Sequence, residues 1–272
     1  MSGTTAERRL GDGGALHRRS IGIRALAFTG AVLLGFAATP DEPVHAQTGG
    51  DGFLFKPPVG SFSFRAGVYL PRAQGDIFDH TTRHLTLNRS DFTGAHVSLD
   101  LGIRANERVD MVLGMDFSGM ISRSEFREWE DNRGNPVEQD TRFRTAALHL
   151  GAKFYLFDRG RRVSRFVWVP RTANLYFGGG AGYSWYEWDQ HGDWVDYETL
   201  DIFYDRLYTD GGGFAGHAMA GAVYGLSQRL ALNMEARYRL ARGPISTSDF
   251  AGFTDGMDMS GFGVAVGLTV NF

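Results

Sequence analysis

Apolar side chains recur at every second position over the last stretch of the chain. Phe262, Val264, Val266, Leu268, Val270 and Phe272 alternate with Gly261, Gly263, Ala265, Gly267, Thr269 and Asn271. Period two sends successive side chains to opposite faces of a sheet, so the pattern predicts a strand. Seven earlier segments repeat it, near residues 61–70, 96–103, 109–117, 145–156, 174–188, 213–225 and 230–240. In the second, Val97, Leu99, Leu101 and Ile103 oppose His96, Ser98, Asp100 and Gly102. In the seventh, Leu230, Leu232, Met234, Ala236, Tyr238 and Leu240 oppose Asn233, Glu235, Arg237 and Arg239. The connections differ in length. RANER (104–108) and GLSQR (225–229) are short, and a basic link, DRGRRVSRFVWVPR, covers 158–171. The other connections, roughly 71–90, 122–141, 188–212 and 242–258, are long and polar, and they are expected to be loops.

The two faces differ in a way that sets their orientation. Small residues share a face with the charges: Arg65, Asp100, Asp110, Asp116, Lys153, Glu235, Arg237 and Arg239 sit among glycines and serines. The interior of an eight-strand barrel is just filled by side chains, so small neighbours make room for long charged ones. A soluble barrel would turn its large apolar face inward. A lipid bilayer demands the reverse, an apolar band on every strand, and closure leaves no unpaired backbone edge in the hydrocarbon. The expected fold is therefore all-β: an eight-stranded antiparallel transmembrane β-barrel, preceded by a signal-peptide helix. Tyr69, Tyr183, Trp185, Trp188, Tyr224 and Tyr238 lie near segment ends, where interfacial aromatic girdles belong.

The N-terminal region reads as an export signal. Arg8, Arg9, Arg18, Arg19 and Arg24 precede an apolar run at 25–38, then Pro40 and a Val44-His45-Ala46 cleavage pattern. The run is shorter than the roughly 20 residues a spanning helix needs. The expected organisation is a signal peptide at 1–46, an irregular periplasmic lead at 47–60 and the barrel at 61–272. Composition agrees with an all-β chain: 37 glycines and 21 phenylalanines are both high for 272 residues. The absence of cysteine excludes disulfides and thiol chemistry. A formal charge of −3 gives no footprint for nucleic acid.

With these features the sequence resembles the small bacterial outer-membrane β-barrels of the OmpA/OmpX type, over about residues 61–272. The resemblance implies export of the Sec type, a location in the outer membrane, contact with outer-membrane lipid, and a terminal strand ending in Phe272 that serves as the signal for the barrel assembly machinery. It also implies a structural or interaction role in the cell envelope. Two other roles stay open: a narrow porin-like channel, and a lipid-modifying enzyme, since outer-membrane barrels that modify acyl chains use His and Ser.

Catalytic signatures are absent. No P-loop, HExxH or GxSxG is present, and the 178–182 glycine run sits inside a strand pattern and opens no helix. His96, His149 and His217 fall on the inward face, away from lipid. No catalytic, cofactor or metal residue is assigned. The lumen charges are read as an ion-paired plug, because a buried charge must be paired. The acidic-aromatic loop 188–212 carries Asp189, Asp193, Asp196, Glu198, Asp201, Asp205 and Asp210 with Trp194, Tyr197, Phe203, Tyr204 and Tyr208. It is the candidate site for an extracellular ligand, with oxygen ligands of the kind Ca²⁺ takes.

Overall fold

The structure is a computed structural model that describes residues 52–196, 199–245 and 253–272. The export signal and the first five residues of the lead, 47–51, lie outside these residues, as do Tyr197, Glu198 and residues 246–252.

Eight long strands close into a ring. They are β1 (Gly60–Pro71), β2 (Gly94–Arg104), β3 (Val109–Glu130), β4 (Pro136–Tyr155), β7 (Ala173–Val195), β8 (Ile202–Gly225), β9 (Leu230–Gly243) and β11 (Gly261–Asn271). Each pairs antiparallel with its neighbours in the order β9-β11-β1-β2-β3-β4-β7-β8, and β8 returns to β9. The link 158–171 forms a small hairpin of its own, β5 (Gly160–Ser164) and β6 (Val167–Pro170). A two-residue strand, β10 (Met257–Asp258), pairs with β9. One helix, α1 (Asp76–His84), and a 3-10 turn, Arg89–Phe92, lie between β1 and β2.

The ring is apolar outside. Phe64, Leu101, Met111, Leu150, Phe177, Met234 and Val266 each expose 42–65% of their surface, the wrong way round for a water-soluble core and the right way round for lipid. A Lys or Arg on such a face at mid-bilayer costs about 2–4 kcal/mol, and outward positions from Met111 to Met115 and from Leu148 to Leu150 carry none. The turns after β2 and β8 are short, and β1 begins and β11 ends at that same end of the ring. In outer-membrane barrels this is the periplasmic end.

The other end departs from the sequence reading. Residues 122–141 and 188–212, expected to be loops, are largely strand. β3 and β4 stay paired up to Glu130 and Pro136, joined by the turn 131–135. β7 and β8 pair through Val195 and Ile202. The barrel therefore continues as a four-stranded sheet beyond the apolar band. There the alternation persists but its chemistry inverts. On β4 the outward residues are Glu138, Asp140, Arg142 and Arg144, then Ala146, Leu148 and Leu150. Inward, Val137 and Phe143 are buried above Thr145, Ala147 and His149. Water surrounds the upper part, so its charged side faces out and its apolar side faces in.

Candidate functional site: a lumen closed by charge and capped by aromatics

The inward residues of β1, β2, β3, β4 and β9 converge at mid-barrel. Arg237 donates from Nη2 to Glu235 Oε1 at 2.6 Å and from Nη1 to Asp116 Oδ2 at 2.9 Å. Arg65 Nη2 donates to Asp100 Oδ2 at 2.6 Å and to Ser98 Oγ at 2.8 Å. Lys153 Nζ bridges Asp100 Oδ2 at 2.8 Å and Glu235 Oε2 at 3.1 Å. Tyr176 donates its hydroxyl to Glu235 Oε2 at 2.8 Å. Arg65, Lys153 and Arg237 thus face Asp100, Asp116 and Glu235, three cations against three carboxylates, and all six are buried. Charge is balanced within the cluster, which is what burial requires.

Two of the eight predicted lumen charges sit apart. Asp110 is buried toward the periplasmic end and pairs with Arg159 at 2.6 Å. Sequence reasoning missed Arg159, because it lies in the link after β4 rather than on a strand. Arg239 lies on the other side of the cluster, donating to Thr145 Oγ1 at 2.8 Å with its guanidinium 4.7 Å over the Tyr69 ring. The histidines are inward as expected. His149 Nε2 is 2.7 Å from Arg237 Nη1, its ring centroid is 4.4 Å from that of His217, and His96 packs beside Tyr69. Glycine makes this crowding feasible: a Cβ on Gly114 would stand 2.2 Å from His149 Nε2 and 2.5 Å from Asp100 Oδ1.

Above the charges lies a second closure that the sequence reading did not foresee. α1 turns Ile77, Phe78 and Thr81 inward, with Asp76 and Asp79 in its first turn and Arg83 and His84 in its last, the polarity a helix dipole favours. Phe78 meets Trp188 at 5.3 Å, Phe143 at 5.5 Å and Phe92 at 5.0 Å, all edge to face. Leu85, Leu87, Met257 and Met259 complete the lid, each at most 2% exposed. Two aromatic residues assigned to the girdle belong inside instead. Trp188 is fully buried in this lid, and Tyr69 is buried with its hydroxyl donating to the Met259 carbonyl at 2.8 Å. Both fall on inward parity, which residue type alone did not reveal. Trp185, Tyr224 and Tyr238 do face outward, and Tyr183 is half-buried.

The acidic segment 188–212 is spread along both arms of the β7–β8 hairpin. Asp189 is buried and held by both Nε and Nη2 of Arg206, at 2.7 and 2.8 Å. Burial opposes its ionisation, but the Arg206 bonds and charge win and hold its carboxyl below the usual carboxylate range. Among the described residues, no three His, Asp or Glu side chains gather in a way that could hold a metal ion. At the hairpin tip Phe203 and Tyr204 are exposed, at 46% and 69%. Phe272 is half-exposed at the end of β11. Its carbonyl accepts from the amides of Val59 at 2.8 Å and Gly60 at 3.0 Å, across the seam with β1.

A closed antiparallel ring with a lipid-suited exterior and an ion-paired interior is an outer-membrane β-barrel, of the small eight-stranded kind that the sequence resembles. No protein-family model matches the chain, and neither does any curated protein. Among solved structures the barrel is similar to Neisserial surface protein A, with 12% identity, 78% of this chain and 96% of that chain covered, and a TM-score of 0.41. It is also similar to OprG of Pseudomonas aeruginosa (13%, 80% and 99%, TM-score 0.41). The attachment invasion locus protein Ail of Yersinia pestis is a third (13%, 78% and 98%, TM-score 0.37). The ring and the chemistry of its two faces carry the assignment, and these distant likenesses only accompany it.

Proposed function

We propose that the protein is a closed, non-catalytic outer-membrane barrel that presents its extracellular β-sheet to partners. The observation that carries this reading is the double closure of the lumen. The neutral ion-paired cluster fills the bore at mid-barrel, and the Phe78–Trp188 lid stops its outer mouth. A polar pocket of about 70 Å³ at the periplasmic end, beside Asp110 and Lys153, ends at the cluster. The histidines that an acyl-modifying enzyme would need at the lipid boundary are tied up inside, with His149 against Arg237 and His217. The β7–β8 tip, with exposed Phe203 and Tyr204 between Asp201 and Asp205, suits a cationic, partly apolar extracellular ligand. Phe272 is proposed to serve the assembly machinery.

Planar-bilayer recording of the purified, refolded protein tests closure. No steady conductance is expected. A steady conductance that changes in Glu235→Gln would replace the plug with a narrow pore. Hydrolysis or transfer of phospholipid acyl chains by the pure protein, lost in His149→Ala, would replace it with an enzyme.

A further inference from the structure

The β5–β6 hairpin belongs neither to the lumen nor to the extracellular sheet, and its surface is unusual for a water-exposed turn. Arg161, Arg162 and Arg165 are exposed, and beside them Val163 and Phe166 expose 58% and 63% of their surface. The chain carries no acidic residue from Arg159 to Tyr186. Three neighbouring arginines at this end have carboxylate partners, Arg104 with Glu107, Arg108 with Asp158 at 2.6 Å, and Arg159 with Asp110, while Arg171 donates to the Asp158 carbonyl and lies over the Phe157 ring. Among the described residues Arg161, Arg162 and Arg165 have none, and Arg165 rests only on the ring of Phe166, 5.6 Å away.

The hairpin is also held in place. Leu54 and Trp168 exchange backbone hydrogen bonds of 2.7 and 2.8 Å, and Trp168 is buried with the Arg104 guanidinium 5.5 Å over its ring. A Cβ on Gly160 would stand 2.2 Å from that ring, so only glycine allows β5 to lie so close. The hairpin also follows directly from the lipid face. Exposed Phe154, Leu156 and Phe157 continue the apolar band up to its base.

We propose that the 160–170 hairpin docks on the anionic phospholipid surface of the periplasmic leaflet. Its unpaired guanidiniums take lipid phosphates, for which their planar fork is suited. Val163 and Phe166 enter the headgroup–acyl boundary, the arrangement of apolar side chains rimmed by basic ones that binds membrane interfaces. The attraction acts only within a Debye length of about 8–10 Å. A hairpin pinned by Trp168 and Leu54 at the edge of the lipid band meets that condition, and a free loop would not. The inference concerns the opposite end of the barrel from the extracellular reading and does not depend on it.

The test uses the full protein refolded in detergent micelles and titrated with dioleoyl phosphatidylglycerol or dioleoyl phosphatidylcholine. Native mass spectrometry then reads the lipid retained per barrel. Phosphatidylglycerol should bind the wild type in clear preference to phosphatidylcholine, and the preference should weaken with added salt. Each arginine near an anionic surface is worth roughly fivefold in association. The triple variant Arg161→Gln/Arg162→Gln/Arg165→Gln should therefore lose at least tenfold of the phosphatidylglycerol affinity, and Arg123→Gln at the extracellular end none. Heat-modifiable migration reports that every variant is folded, and Val163→Ser/Phe166→Ser provides a second variant that keeps all the charges yet should also weaken retention. Equal retention by the folded triple variant and the wild type would overturn the proposal. So would the absence of any preference for phosphatidylglycerol, or full displacement by millimolar inorganic phosphate, which would mark a site for a free anion.

Discussion

Arg237 and Asp116, 121 positions apart, meet across the lumen at 2.9 Å and tie β9 to β3, strands that are not neighbours in the ring. The same guanidinium also holds Glu235 at 2.6 Å and lies 3.4 Å from Asp100. Arg237→Ala therefore strands buried Asp116, whose only salt bridge to an arginine or lysine among the described residues is this one, and takes one cation from Glu235 and Asp100, which keep Lys153. Breaking one partner of a buried pair costs about 3–5 kcal/mol, and an unfolding free-energy loss of that size is expected in reversible folding in detergent, seen as a lower urea midpoint with the slope unchanged. Arg237→Lys should recover only part of it, since an ammonium cannot engage Asp116 and Glu235 through two nitrogens. An unchanged midpoint for Arg237→Ala would mean that water already solvates the cluster.

Trp188→Ala should act differently because it lies above the membrane band. Truncating a fully buried aromatic costs about 3–5 kcal/mol, but the ladder below Ala146 and Trp185 does not touch this side chain. The expected outcome is a barrel that keeps its heat-modifiable migration while amides of Ile77–Thr82 lose hydrogen-exchange protection. Protection equal to the wild type would show that α1 is held without the aromatic stack.

The sequence made the membrane half legible and the upper half obscure, for one physical reason. Within lipid, alternation means large apolar against small or charged, as at Met111, Leu113 and Met115 opposite Asp110, Gly114 and Asp116, and the inference from face to environment is direct. Above it, outward Arg123, Glu125 and Arg127 alternate with inward Ser124 and Phe126. That stretch reads as a polar loop unless the parity set by Asp110 is carried forward, because one strand passes from hydrocarbon into water without a break. The same parity, continued along β7 from Tyr176 and Ser184, places Trp188 inside. α1 was harder to find, since its nine residues offer only Ile77 and Phe78 as an apolar signal. The six-membered charge cluster was foreseeable as a set, but its partition was not, because Arg159 reaches Asp110 from outside the strand pattern.

Phe272→Asp should separate assembly from stability. The β1–β11 seam at this point is closed by main-chain bonds: Phe272 N donates to Gly60 O at 3.0 Å, and its carbonyl accepts from Val59 and Gly60. A charge near the interface costs only about 0–1 kcal/mol, so refolding yield in detergent should be nearly unchanged. Insertion in cells should fail if the assembly machinery reads this aromatic residue. Normal insertion of the variant would leave Phe272 as a lipid-facing side chain and nothing more.

Acidification should loosen the lid in two steps. Asp76, at the start of α1, accepts from the amides of Thr254 at 2.8 Å and Asp255 at 3.1 Å and from the Thr254 hydroxyl. These bonds, the amide of Thr254 foremost, hold its carboxyl below the usual range. One turn on, His80 packs against His84 at 4.5 Å and Phe253 at 5.6 Å. Burial, aided by the charge of its neighbours His84 and Arg83, pushes its imidazole below the ordinary histidine value. Both folded values are depressed, so the unfolded form binds more protons as pH falls and stability declines in that direction. The His80 contribution is complete above about pH 6.5 and is lost as pH drops through its folded value. The Asp76 contribution is complete above about pH 4 and is lost below it. The fluorescence of Trp188, followed against the other tryptophans by comparison with Trp188→Phe, should report a first change below pH 6.5 and a second below pH 4. His80→Gln should remove the first step and Asp76→Asn the second. A single transition that survives both substitutions would locate the acid-sensitive group elsewhere.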